Sequence, residues 1–137
     1  MVVINGENLI LGRLASHVAK LLLSGEEVTI VNAERTIISG SKKSIIEDYN
    51  KKRTVGTPRK GPFFPRMPDQ IVKRTVRGMI PYKKTSGKNA YKKLKVYIGV
   101  PKALETENLV TLEKASAKGK VKYIELGEVS KELGAKF

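Results

Sequence analysis

Apolar positions along this chain change their period several times, and each change marks an element. "VVI" from Val2 is a short apolar run followed by the turn residues "NGEN", which predicts a brief strand and a turn. After Gly12, in "RLASHVAKLLLSG", Leu14, Val18, Leu21 and Leu22 recur at helical spacing. Arg13, His17, Lys20 and Ser24 fall on the opposite face, and Gly25 is placed to stop the helix in the left-handed conformation. "VTIVN" from Val28 is β-branched and apolar enough for a strand buried on both faces. "RTIISGS" then leads into "KKSIIEDYNKKR", a predicted helix with Ser41 as its cap and Ile45, Ile46 and Tyr49 inward.

Periodicity stops from Lys51 to Pro68, where four of the six prolines lie, and this predicts a long loop. Asp69 is the expected cap of a third helix, "QIVKRTVRGMI", with Val72, Val76 and Met79 on one face and Lys73, Arg74 and Arg77 on the other. "PYKKTSGKN" reads as a break and "AYKKL" as a further short helix. "KVYIGV" from Lys95 is an expected strand closed by Pro101, "VKYIELG" from Val121 a last strand, and "EVSKELG" a short terminal helix. Residues 103–118 carry no clear period. Strands alternating with helices predict an α/β layer structure with a largely parallel sheet. A length of 137 residues suits one domain, 1–137, with 51–68 as an extended basic loop inserted in it.

Charge sharpens this picture. From Lys51 to Lys95 there are 15 Lys or Arg and one acid, Asp69; outside that window 12 basic and 12 acidic residues balance. The whole net charge of +14 therefore sits in one third of the chain, the distribution expected of a footprint on a polyanion. The clusters are "NKKRTVG", "TPRKG", "VKRTVRGM", "PYKKTSGK" and "YKKLK", so cations fall on loops and on helix faces alike. Any one of them could be a solvated face; five together with a single acid favour phosphate recognition.

Catalytic chemistry finds little support. Without cysteine, and with His17 as the single histidine, thiol catalysis and thiolate or polyhistidine metal sites are excluded. "GTPRKG" from Gly56 has the gap of a Walker loop, but Pro62 and Phe63 stand where Lys and Ser or Thr are needed, and no G-x-G-x-x-G occurs. Glu47–Asp48 and Glu105/Glu107 are the nearest approach to paired carboxylates, and they lie outside the basic window. The expectation is no enzyme, no cofactor, no metal and no small-molecule substrate. No apolar run approaches the roughly 20 residues of a membrane span, and the start "MVVINGENLIL" lacks the pattern of a secretory signal. The expected compartment is the cytoplasm.

RNA is favoured over DNA. No helix-turn-helix, zinc-finger or basic-zipper pattern occurs, whereas a stiff loop bearing aromatics and arginines suits irregular folded RNA. Pro58, Pro62, Pro65 and Pro68 restrict that loop before binding, which lowers the ordering entropy lost on an RNA surface. Phe63 and Phe64 have two possible roles: anchors that pack back onto the domain, or a stacking surface for a base or a neighbouring protein. A nucleotide-using enzyme and a free-standing RNA chaperone or regulator are the competing readings.

Four segments carry a resemblance: "LGRLASHVAKLL" from Leu11, "VTIVNAERTIISG" from Val28, "GPFFPRMPDQIVKRTVRG" from Gly61 and "VRGMIPYKKTSGKNAYKKLKVYIGVP" from Val76. Together they resemble the universal large-subunit ribosomal protein L thirteen family over essentially the whole chain. The proline-rich "TPRKGPFFPRMP" is similar to the archaeal and eukaryotic branches rather than the bacterial one, and an end at Phe137 without a long basic tail is similar to the archaeal form. The resemblance implies a three-layer α/β/α domain around a mainly parallel four-stranded sheet. It further implies a structural, non-catalytic role in the large subunit, with large-subunit rRNA and neighbouring ribosomal proteins as partners and a part in subunit assembly. The family's RNA-facing positions correspond here to Arg74, Arg77, Lys83, Lys84, Lys88 and Lys92, and Arg13 in "GRLAS" matches a further family position. Lys51, Lys52, Arg53, Arg59, Lys60, Arg66, Lys73, Lys93 and Lys95 join the expected RNA-binding set on the charge argument.

Overall fold

The computed structural model describes residues 2–54, 65–102 and 122–137, with residues 53 and 54 described in backbone alone. In chain order the elements are β1 (Val2–Asn5), α1 (Leu11–Leu23), β2 (Val28–Val31), a single 3-10 turn (Ala33–Arg35), β3 (Ile37–Ser39) and α2 (Lys42–Thr54). There follow α3 (Pro68–Arg77), α4 (Thr85–Lys92), β4 (Leu94–Val96), β5 (Tyr123–Glu125) and α5 (Leu126–Glu132). Among the described residues, three strands pair in parallel in the order β1-β2-β4, with Val28 opposite both Val2 and Leu94. All four β2 residues are buried, as the apolar run predicts for a strand covered on both faces.

α1 follows its pattern closely. Leu14, Val18 and Leu22 are buried, Leu21 is half-buried, and Arg13, His17 and Lys20 are exposed. Gly25 adopts φ +97°, which lets its N–H donate to the Leu22 carbonyl while the Glu26 N–H donates to Leu21. These two bonds satisfy carbonyls that the helix end leaves open. In α2 the Ser44 N–H donates to Ser41 Oγ at 3.3 Å, so Ser41 is the cap that the sequence predicts. Ile45 is buried, with Ile46 and Tyr49 half-buried behind it.

Several boundaries differ from expectation. α2 runs to Thr54, one residue past the helix expected over "KKSIIEDYNKKR", so the loop expected from Lys51 does not open there; Lys and Arg are good helix formers and no glycine or proline interrupts before Gly56. Pro68 is the first residue of α3, where its missing N–H costs nothing. The loop expected over 51–68 therefore loses both ends, and 55–64 lie outside the described residues. Asp69 is not a cap: Met67 holds that position without a side-chain bond, and Asp69 sits in the first turn, where its charge complements the helix dipole. Met79 lies beyond the end of α3 and is 43% exposed, so the buried face is carried by Ile71, Val72 and Val76 instead.

The segment read as a break is half helix. α4 starts at Thr85, after an extended Lys84. The last strands are shorter than expected: β4 ends at Val96, before Gly99 turns at φ +66°, and Leu126–Gly127 belong to α5. β5 does not join the parallel sheet but pairs antiparallel with β3, Ile38 opposite Ile124.

α1 packs against both α3 and α4, while α5 packs on the 3-10 turn, with α2 and β5 beside it. The core between them includes Ile4, Leu14, Val18, Ile30, Ile71, Val76, Leu94 and Leu126, all fully or almost fully buried. Burying each such side chain contributes about 1.5–3 kcal/mol. At the C-terminal ends of the parallel strands, Asn32 adopts φ 56° and its amide donates to Asn5 Oδ1 at 2.9 Å. The Gly99 N–H donates to Glu34 Oε2 at 2.9 Å, which ties β4's exit to the same end of the sheet.

Candidate nucleic-acid interface

The last turn of α3, the 78–84 turn and α4 build the most cationic surface of the described residues. Helical spacing places Lys73, Arg74 and Arg77 away from buried Val72 and Val76. Gly78 ends the helix, and the chain folds back through Ile80 and Pro81, with the Tyr82 N–H donating to the Ile80 carbonyl at 2.8 Å and Lys84 to Pro81 at 3.0 Å. That turn lies directly on α4. A Cβ at Gly87 would meet the Pro81 carbonyl well inside contact distance and the Tyr82 nitrogen at 2.9 Å. Only glycine allows this approach, and the approach fixes where Tyr82 stands.

Two tyrosines organise the cations. The Arg77 guanidinium carbon lies over the Tyr82 ring, 4.1 Å from its centroid. Tyr82 meets Tyr91 of α4 edge to face, with centroids 5.4 Å apart and planes at 84°. Lys73 Nζ covers the far ring, 5.3 Å from the Tyr91 centroid. Each contact lies within the range of a favourable cation–π or aromatic pair. Burial pushes the Tyr91 phenol above its ordinary value of 10.0; the Arg77 charge opposes the rise and Tyr82 adds to it.

On either side of the arginines the surface opens. One hollow of about 550 Å³ is lined by Arg74, Arg77, Tyr82, Lys83 and Lys84 together with Ile80 and Pro81. A smaller one, about 190 Å³, is lined by Pro65, Gln70, Lys73, Arg74, Arg77 and Tyr91. Arg74 and Arg77 thus form a ridge shared by both, and no carboxylate lines either. Like charges held this close raise the local potential and favour a polyanion over water. Among the described residues no three His, Asp or Glu side chains converge as a metal site, and no helix is long and apolar enough to cross a membrane.

The family model for ribosomal protein L13 matches residues 1–103, which takes in all four segments on which the resemblance rests. The chain belongs to the ribosomal protein L13 family. Similar chains named large ribosomal subunit protein uL13 include that of Methanococcoides burtonii, 54% identical over all of both chains. Those of Methanosphaera stadtmanae, 55% identical over 98% of each, and Methanocaldococcus jannaschii, 54% identical over all of both, are two more. All three organisms are archaea, in line with the archaeal form of the resemblance.

Within this L13-family chain, the expected RNA-binding residues do not all share one place. Lys73, Arg74, Arg77, Lys83 and Lys84 line the paired hollows. Lys88 and Lys92 are exposed on α4, and Arg13 is exposed on α1, which packs against both α3 and α4. Lys93 reaches across to donate to the Gly25 carbonyl at 3.3 Å, so part of its role is to tie α4 to the end of α1. Lys95 is the exposed member of β4, between buried Leu94 and Val96. Lys51 and Lys52 are exposed on α2, which packs chiefly on α5; Lys52 Nζ stands 4.7 Å from the Tyr49 ring centroid. Arg66 lies over Gly134 at the end of α5. The Arg53 side chain, Arg59, Lys60, Phe63 and Phe64 lie outside the described residues. Tyr82 and Tyr91 were not among the expected residues. Their signal is the triplet Tyr-Lys-Lys, which occurs at 82–84 and again at 91–93, an aromatic interleaved with cations.

Proposed function

We propose that this chain is a structural constituent of the large ribosomal subunit that holds folded rRNA against the basic surface of α3, the 78–84 turn and α4, and takes part in subunit assembly and translation. The observation that carries the reading is the Arg74–Arg77 ridge, flanked by two hollows without a carboxylate, in a member of the L13 family. Arg13, Lys88 and Lys92 extend the surface across α1 and α4, and Lys95 adds to it from β4. Lys51 and Lys52 on α2, and Arg66 beside the end of α5, offer further contacts for RNA. Arg53, Arg59 and Lys60 belong to the same basic segment, with Phe63 and Phe64 as anchors or stacking groups. The role is non-enzymatic, in the cytoplasmic ribosome, with rRNA and neighbouring large-subunit proteins as partners. The chain acts as one domain over 1–137, and the three-layer arrangement with a fourth sheet strand implied by the family is part of this reading.

Salt dependence tests it. A protein that neutralises several phosphates loses affinity linearly with the logarithm of salt, by about 0.9 per phosphate on a duplex. Arg77→Ala is expected to weaken binding to a large-subunit rRNA fragment and to lower that slope by about one. A slope equal to the parent's removes Arg77 from the phosphate contacts, and a parent protein without salt-dependent binding contradicts the function itself.

A further inference from the structure

We propose that the Arg77–Tyr82 pair is a platform for one unpaired RNA nucleotide, its base laid on the outer face of the Arg77 guanidinium and its phosphates held by Arg74, Lys83, Lys84 and the N–H edge of that same guanidinium. This rests on the RNA-binding reading above and adds what kind of RNA the surface selects. A surface that met only duplex backbone would need cations alone, with no aromatic pair ordering one of them. Here the cations border an open hollow of about 550 Å³ beside such a pair. Its lining includes Ile80 and Pro81 together with Arg77, whose guanidinium sits on the Tyr82 ring at 4.1 Å.

The pair is held ready for stacking. Arg77 has one face on Tyr82; Tyr82 is braced edge-on by Tyr91, and Tyr91 is covered by Lys73. Gly87 sets the backbone of Tyr82 from the other side. A guanidinium fixed in this way loses little freedom when a base stacks on it, which is the condition for a strong contact. Bases available for such stacking are the unpaired ones of bulges, loops and ends. An acidic protein segment would satisfy the cations but would make no use of the planar face.

The test uses the full chain and two RNA hairpins that differ by one bulged 2-aminopurine. The bulged hairpin is expected to bind about tenfold more tightly, the preference given by one stacked base, with its fluorescence quenched in the complex. Arg77→Lys keeps the charge and removes the plane; it is expected to bring the preference close to unity, the bulged complex losing about tenfold more affinity than the duplex one. Tyr82→Leu should do the same, and Tyr82→Phe, which keeps the ring, should retain the preference; circular dichroism of each variant establishes that it is folded. Equal binding of the two hairpins, with the salt slope intact, overturns the platform and leaves the RNA-binding reading standing. Absence of salt-dependent binding to either hairpin overturns both. Tyr82-dependent binding of an oligoglutamate without a bulge preference overturns the platform in favour of an acidic protein segment.

Discussion

Gly87 and Gly12 show how differently the same residue type can be constrained. A Cβ at Gly87 would run into the backbone of Pro81 and Tyr82, neither of which can turn aside as a side chain does, whereas a Cβ at Gly12 would meet nothing within 4 Å. Gly87→Ala is therefore expected to lower stability by about 3 kcal/mol, the upper range for overpacking. Gly12→Ala, in the first turn of α1, should be neutral or gain up to about 1 kcal/mol. Thermal melts of the two variants check the contrast, and equal melting temperatures would contradict the close approach of α4 to the 78–84 turn. This constraint is invisible in "TSGKN", because it comes from a backbone that folds back onto the glycine. The Tyr82–Tyr91 pair was half legible: the repeated Tyr-Lys-Lys is in the sequence, but only the turn at Gly78 and the packing of α4 bring two rings nine positions apart to 5.4 Å.

At the scale of elements, apolar spacing carried the reading where burial sets the period. α1, β2 and the inner face of α2 follow it, with Leu14, Val18, Ile30 and Ile45 buried in turn. It failed at boundaries decided by local backbone chemistry. Proline at the first position of α3 displaced Asp69 from the cap, and the helix ended at Gly78 before Met79 could reach the core. A pair of substitutions separates these cases. Val76→Asp places a charge at a fully buried position and is expected to cost about 4 kcal/mol or more, a large part of the 5–15 kcal/mol that stabilises a typical domain. Met79→Asp, at a 43% exposed position, should change stability by no more than about 0.5 kcal/mol. Denaturant titration measures both; a Val76→Asp variant as stable as the parent would contradict the inward face of α3.

For the whole molecule, the charge map was legible and its distribution in space was not. The window from Lys51 to Lys95 holds all of the excess charge, yet among the described residues folding spreads it over the α3–α4 surface, α2 beside α5, Lys95 on β4 and Arg66 over Gly134. Folding also brings Arg13 from outside the window onto a helix that packs against α3 and α4. The pairing of β5 with β3 was likewise beyond the sequence, since a short strand such as "YIE" carries no sign of which edge it will take. All of this surface serves a protein that resides in the large ribosomal subunit. The most direct test of that residence is a sucrose-gradient profile of cell lysate probed for the protein, with magnesium present and after chelation. The protein is expected to travel with intact ribosomes and then to follow the large subunit, at elevated salt as well. A protein that stays near the top of the gradient in both conditions would contradict that residence.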